Sequence, residues 1–431
     1  MKIRINLILS LLVISIPSTS FGQTNVSGNI SSNTSWTLLN SPYNVTGNTL
    51  VEENVILNIE PGTVINFESN TSMSIFGTLV AQGNLDNKIT FTSSNALVGD
   101  WGPITFYNSS VDASFENGNF LSGSILEHCI VEYGKGITAS SSNPFINHST
   151  FRYNNYRVIN FTGSTDGITK ITNCDISNNS GQDLLLIYIE NSDSNTEISY
   201  NNISNNIASG YSNYMIFSDN GSMYSNTIVS NSFSNNSSYY SLFSRPTDNF
   251  YNNTVKNNLC NVISRSANIY SNIFQNNENG YIIKIDRLQG KNIYNNIFVN
   301  NNNVIEIETF ENGGKIHNNI ISNNDGDNIL RITGEGNENK IRNNTFVKNT
   351  GNNIIYLANQ VYGDMDIIEN TFSQNISISG AVIKQALYSN NNYTDFNISN
   401  NNIINENADY YYWYENPYNE TGFTFNVENN Y

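Results

Sequence analysis

From about residue 126 onward one phrase keeps returning: an apolar residue, two variable positions, an asparagine, a variable position, a second apolar residue, and another asparagine three places on. It reads Ile171-Thr172-Asn173-Cys174-Asp175-Ile176 and then Ile198-Ser199-Tyr200-Asn201-Asn202-Ile203, with later copies at 269–274, 293–298, 316–321, 341–346 and 367–372. Aligned, the copies give an inner column of Cys129, Ser149, Cys174, Asn201, Asn226, Asn253, Asn272, Asn296, Asn319, Asn344, Asn370 and Asn401. Five places on, a second column runs Asn154, Asn179, Asn206, Asn231, Asn258, Asn277, Asn301, Asn324, Asn349 and Asn375. Successive members are about 25 residues apart, a spacing typical of repeats that stack on their neighbours.

Each repeat has a second apolar stretch upstream of the phrase, such as Ile282-Ile283-Lys284-Ile285, Val304-Ile305-Glu306-Ile307 and Ile354-Ile355-Tyr356-Leu357. Short runs with alternate apolar residues are strands with one buried face. The asparagine and β-branched content argues against helix. Every repeat therefore reads as a few short strands joined by tight turns, which asparagine suits because it tolerates left-handed backbone angles. Stacked repeats set strands about 4.8 Å apart. An asparagine in one coil can then donate to its counterpart in the next, sparing buried polar groups a cost of about 1–3 kcal/mol each. Where the inner column departs from asparagine it takes Cys or Ser, never a charge, as burial requires. The expected fold is a right-handed parallel β-helix of about 12 aligned ladder coils.

Composition decides what this repeat is not. Asn-rich sequence often means a disordered tract, but 12% aromatic residues recur through the region. The formal charge of −17 excludes a nucleic-acid partner, which needs a basic stripe. Cys129, Cys174 and Cys260 are an odd set, and the first two fall two coils apart, too far to bridge. They read as buried thiols.

Residues 1–22 look like a targeting segment, with Lys2 and Arg4 before the apolar run 5–16 and small residues Ser20 and Gly22 before Gln23. No later stretch is apolar enough to span a bilayer. The expectation is an exported protein, secreted or at the cell surface. Residues 23–125 carry few asparagines and read as opening coils with a cap, which a solenoid needs to cover its first pairing edge. Residues 126–431 are the ladder coils. Residues 410–414, almost all aromatic, are candidates for covering the last coil.

The opening coils carry Glu60-Pro61-Gly62-Thr63-Val64, Gly77-Thr78-Leu79, Ile89-Thr90-Phe91-Thr92, Trp101-Gly102 and Val131-Glu132-Tyr133-Gly134. With the repeat, they resemble the right-handed β-helix proteins of the pectin-lyase-like superfamily, found among exported bacterial proteins. The resemblance implies the fold, but that fold hosts lyases, hydrolases, adhesins and binding proteins. The family's enzymes cut or modify acidic polysaccharides, the hydrolases with clustered aspartates and the lyases with a Lys or Arg base beside carboxylate-bound calcium. The hydrolase signature of paired aspartates and a Gly-His-Gly turn does not occur here. A lyase-like patch could use Arg245, Arg265 and Arg287, at similar positions in three coils, with Lys284, Asp286, Glu306, Glu308 and Arg331 nearby. Calcium enters only under that alternative, where Asp325-Gly326-Asp327 is the candidate turn; no metal or other cofactor is otherwise expected. His128 and His148 share a column in adjacent coils and should stack.

The more informative column lies just after the first apolar residue of the phrase. It holds Tyr224, Tyr251, Tyr270 and Tyr294, then His317, among neighbours Glu127, Asn147, Arg342 and Ser399 that mark it as solvent-facing. Such rings can stack on sugar faces or on one another. The sequence reading is an exported, non-catalytic protein that binds polysaccharide or mediates adhesion. The alternative is a polysaccharide lyase or glycoside hydrolase acting on uronate polymers.

Overall fold

The computed structural model describes residues 22–163, 167–182, 184–190, 195–209, 214–218, 221–233, 241–244, 249–263, 267–311, 313–333, 338–358, 365–386, 396–404, 408–415, 425–428 and 430. Residues 1–21, nearly all of the expected targeting segment, lie outside them. Most coils carry three strands, with a further two-residue strand at Ser180–Gly181, Ile207–Ala208 and Ser232–Phe233, and the coils stack in parallel register. The first face is a sixteen-strand stack running from Thr34–Trp36 to Phe425–Glu428. The second face is made of three-residue strands such as Thr254–Lys256 and Ile297–Val299. The third carries longer ones, among them Leu185–Glu190, Ile283–Gln289, Ile305–Glu311 and Thr350–Ala358. The chain is a parallel β-solenoid.

Each position of the recurring phrase has its own place in the coil. Its first apolar residue, Ile198 or Ile293 for example, is buried in the first face, and the next residue points outward. The third adopts a left-handed conformation, with φ of 57° at Tyr200, 54° at Asn252 and 59° at Glu369, and turns the chain onto the second face. The ladder asparagine follows. After the short second-face strand a second left-handed residue, such as Asn205 at 56° or Lys348 at 54°, precedes the outer ladder. Left-handed backbone costs an ordinary L-residue about 1–2 kcal/mol, and asparagine less. The Asn-Asn doublets at 252–253, 295–296 and 343–344 are thus two devices side by side: the first residue turns the corner and the second ties it.

The ties are complete. Asn226 Oδ1 accepts the backbone N–H of Asn201 at 2.9 Å and its Nδ2 at 3.0 Å. Asn226 Nδ2 donates to Ile198 O at 3.0 Å and on to Asn253 Oδ1 at 3.0 Å. The same four contacts recur along both columns, so a wholly buried amide satisfies itself and one backbone N–H of the coil before it. Aspartate lacks the donors and would bury a charge, and glutamine overshoots by a methylene. Serine at 149 reproduces two of the four contacts, accepting Cys129 N–H at 3.0 Å and donating to Leu126 O at 3.3 Å. The inner ladder runs one rung beyond Asn401, to Asn430.

Residues 36–106 form coils of the same solenoid, with Trp101 buried and stacked on Phe67 at 4.1 Å. Thr24–Ile30 pairs with Tyr43–Val51 and opens the stack. An antiparallel hairpin, Ser114–Glu116 with Asn119–Ser122, lies over the outside of the first face, where Phe115 and Phe120 pack against Phe145. Tyr410–Glu415 is a strand added to Ile376–Ala386, with Tyr410, Tyr411 and Trp413 exposed. The three cysteines are buried and unpaired; burial pushes the Cys174 and Cys260 thiols up to about 12.

Candidate functional site

Tyr224, Tyr251, Tyr270 and Tyr294 stand in register on the outside of the first face, as expected. Their rings stack face to face, with centroids 4.9, 4.8 and 4.8 Å apart, and His317 continues the pile at 5.1 Å. A gap of that size admits no sugar ring between neighbours, so the interior tyrosines present edges and hydroxyls rather than faces. Tyr200 closes the near end edge-on, 5.7 Å from Tyr224. The Tyr224 hydroxyl donates to Glu197 Oε1 at 2.5 Å, and Lys170 Nζ holds the other oxygen at 3.2 Å. Burial, then that carboxylate, pushes the Tyr224 phenol up to about 12.

The third face gathers charge. Its outward column reads Lys284, Glu306, Arg331, Tyr356, Lys384 and Trp413 in successive coils. Glu306 is only 4% exposed and lies between two cations, with Lys284 Nζ 3.2 Å from Oε2 and Arg331 Nη1 bonded to Oε1. Oε2 has no aligned hydrogen bond, so the lysine contact is Coulombic. Burial works against the Arg331 charge, but Glu306 outweighs it and the pKa rises. Tyr281 sits beside this pair; burial and then Glu306 push its phenol up to about 12.

Next to the cluster opens a cleft of about 530 Å³. Arg331, Lys384 and Tyr356 line it with Asp327 and the amides of Asn328, Asn352 and Asn353. Asp327 accepts from Asn328 Nδ2 at 3.0 Å and from Asn352 Nδ2. Lys384 pairs with Glu415 at 3.1 Å and lies 5.9 Å from the Trp413 ring. The arrangement suits a ligand with both carboxylates and hydroxyls, since the cations answer the former and the amides and phenol the latter.

Of the residues proposed for a lyase-like patch, Lys284 and Glu306 meet, with Arg331. Asp286, Arg287 and Glu308 are exposed positions further along the same strands. Arg245 and Arg265 lie outside the described residues. In Asp325-Gly326-Asp327 both carboxylates belong to exposed strand residues, and the amide contacts occupy that of Asp327. Among the described residues no group of three His, Cys, Asp or Glu could hold one metal ion. His128 and His148 stack at 4.8 Å, each at a left-handed corner. The sequence reading passed over Tyr356, Lys384 and Trp413. Extending the alignment of the upstream strands would have shown them in the column of Lys284 and Glu306.

No family model matches the chain, and no curated protein matches it. Among solved structures, the A-module of mannuronan C-5 epimerase AlgE6 of Azotobacter vinelandii aligns over 96% of this chain and 91% of its own, at 11% identity and a TM-score of 0.28. The GH136 lacto-N-biosidase of Eubacterium ramulus aligns over 88% and 62%, at 11% identity and a TM-score of 0.24. The AlgE4 A-module of A. vinelandii aligns over 94% and 91%, at 11% identity and a TM-score of 0.19. At these values the fold rests on the chain's own strand pairings and the function on its own site.

Proposed function

We propose that the protein is exported and binds an acidic polysaccharide along its third face without cleaving it, in a role such as surface attachment. The observation that carries this reading is the Arg331–Tyr356–Lys384 cleft. In a chain of net charge −17 it brings cations, a phenol and three side-chain amides to one outward groove. A solenoid presents such a groove in steps of about 4.8 Å, a periodic track suited to a polymer. The charges in and around the cleft are engaged with one another: Arg331 and Lys284 with Glu306, Lys384 with Glu415, Asp327 with two amides. That pattern positions a ligand rather than poising a base, because a general base needs a pKa brought near the working pH. Residues 1–22 support export by their pattern.

The test is retention on immobilised polygalacturonate at low and high salt. The wild type should be retained at low salt and the Arg331→Gln/Lys384→Gln variant lost by at least tenfold. Equal retention of the two would remove the cleft as the site. The same incubation, followed at about 235 nm for unsaturated ends and by a reducing-sugar assay, separates binding from cleavage; new ends would favour the lyase or hydrolase alternative.

A further inference from the structure

Arg152 and Arg157 are five residues apart and differ in one respect. Arg152 has its charge answered: its Nε donates to Glu132 Oε2 at 2.7 Å. Arg157 makes no ion pair among the described residues. Among the described residues its side chain makes one hydrogen bond, from Nη1 to Asn160 Oδ1 at 3.2 Å. What holds it is aromatic: the guanidinium carbon lies 5.5 Å from the Tyr156 ring centroid and 5.1 Å from that of Tyr188. Tyr188 is stacked on Phe217 at 4.9 Å and donates its hydroxyl to Glu190 Oε2 at 2.8 Å. Burial, then that carboxylate, pushes its phenol up to about 12. Tyr156 is 48% exposed.

A planar cation held against two rings has lost side-chain freedom before any ligand arrives, which lowers the cost of binding. Its outer edge still offers the fork geometry that takes a carboxylate through two parallel hydrogen bonds. An exposed ring beside it suits the apolar face of a pyranose. We infer that Arg157, Tyr156 and Tyr188 form a second subsite for a carboxylated sugar unit. This rests on the acidic-polysaccharide reading above and extends it.

Position supports the link. Tyr188 and Phe217 stand in the same outward column of the third face as Lys284 and Arg331. Tyr188 and Arg331 are separated by six coil steps of about 4.8 Å, or about 29 Å. One acidic polymer lying along the face meets both subsites, and simultaneous engagement raises its overall affinity well above that of a short fragment.

The experiment is calorimetric titration with trigalacturonate, neutral galactotriose as control, and a galacturonate oligomer longer than the 29 Å span. The wild type should bind two trigalacturonates and no galactotriose. Arg157→Gln and, separately, Arg331→Gln/Lys384→Gln should each reduce the stoichiometry from two to one and weaken the long oligomer at least tenfold. Arg157→Lys, which keeps charge but not the fork, should weaken the Arg157 subsite severalfold. Unchanged melting temperatures establish that the variants are folded. Two sites persisting in Arg157→Gln, or galactotriose binding as well as the acid, overturns this subsite. Loss from Arg157→Gln alone removes the cleft and leaves this subsite standing, and loss from the cleft variant alone does the reverse. A wild type that binds no trigalacturonate ends both.

Discussion

In the opening coils each corner is made differently. Val64 N–H donates to Ser41 Oγ at 2.9 Å, Ser72 N–H to Asn48 Oδ1 at 3.1 Å and Ile56 N–H to Asn33 Oδ1 at 2.9 Å. Behind these single ties stands a large aromatic centre, Trp101 stacked on Phe67 with its indole N–H on Glu132 O at 2.9 Å. In the ladder coils from Asn201 onward, by contrast, the inner tie is the same from turn to turn, and no buried tryptophan stands behind it among the described residues. Chain-length changes are absorbed elsewhere: successive rungs are 19 residues apart between Asn253 and Asn272 but 31 between Asn370 and Asn401. The five residues from inner to outer ladder stay constant. Both regions satisfy the same buried N–H groups, one by individual solutions and the other by a repeated one. A repeated tie leaves outward columns and distal loops free to vary.

The contrast can be broken most forcefully at its apolar end. Trp101→Ala should destabilise the protein by about 4 kcal/mol in denaturant unfolding, because it removes a fully buried ring and leaves a cavity. A cost below 1 kcal/mol would mean that the opening coils do not depend on it. Asn296→Ala should cost about 3 kcal/mol, since it strands both the N–H and one Nδ2 proton of Asn272. Its effect should also be non-additive with Asn272→Ala in a double-mutant cycle, whereas Trp101→Ala should add to either. Cys174→Asn asks whether the ladder can be extended toward the opening coils. The new amide would face Asn201 Oδ1, which already accepts Cys174 N–H at 2.9 Å, so a gain of up to about 1 kcal/mol is expected. A loss of several kcal/mol would show that the corner there is not a ladder corner.

Smallest is a pH effect on the two stacked histidine positions. Burial, then His148, lowers the His128 pKa, and burial, then Lys315 and Arg342, lowers that of His317. Both are therefore neutral in the fold where the unfolded chain begins to protonate. Stability present above the unfolded value, near 6.5, should fall as pH drops through it and be fully lost below the folded values. The melting temperature should decline over that window in dilute buffer, less so in His128→Asn; a rise on acidification would contradict this.

Much of the fold was legible because stacking forces equivalent residues into columns that sequence alignment can find. Asn201 through Asn401, the outer column, the strand faces and the outward tyrosines all emerged that way. The left-handed residue before each rung was harder to see. Its identity varies among Asn, Ser, Tyr, His, Glu, Gln and Lys, as expected where backbone angle matters more than side chain. Asn430 was missed although Val427-Glu428-Asn429-Asn430 repeats the spacing of Ile398-Ser399-Asn400-Asn401. The tyrosines were found, but their mutual stacking depends on ring orientation, which spacing does not encode. The Arg157 platform was illegible for a different reason: Tyr156 and Tyr188 come from different columns and meet only because the arginine bridges them.

The asparagine side chains of both columns act as buried structural ties. Hydrogen exchange of the side-chain amides, followed by NMR on protein labelled at asparagine, tests it directly. The amides of Asn226, Asn272, Asn319 and Asn344 should exchange as slowly as the backbone N–H groups they join, and in step with them as denaturant is raised. Exchange at the rate of the exposed Asn252 and Asn318 amides would contradict it.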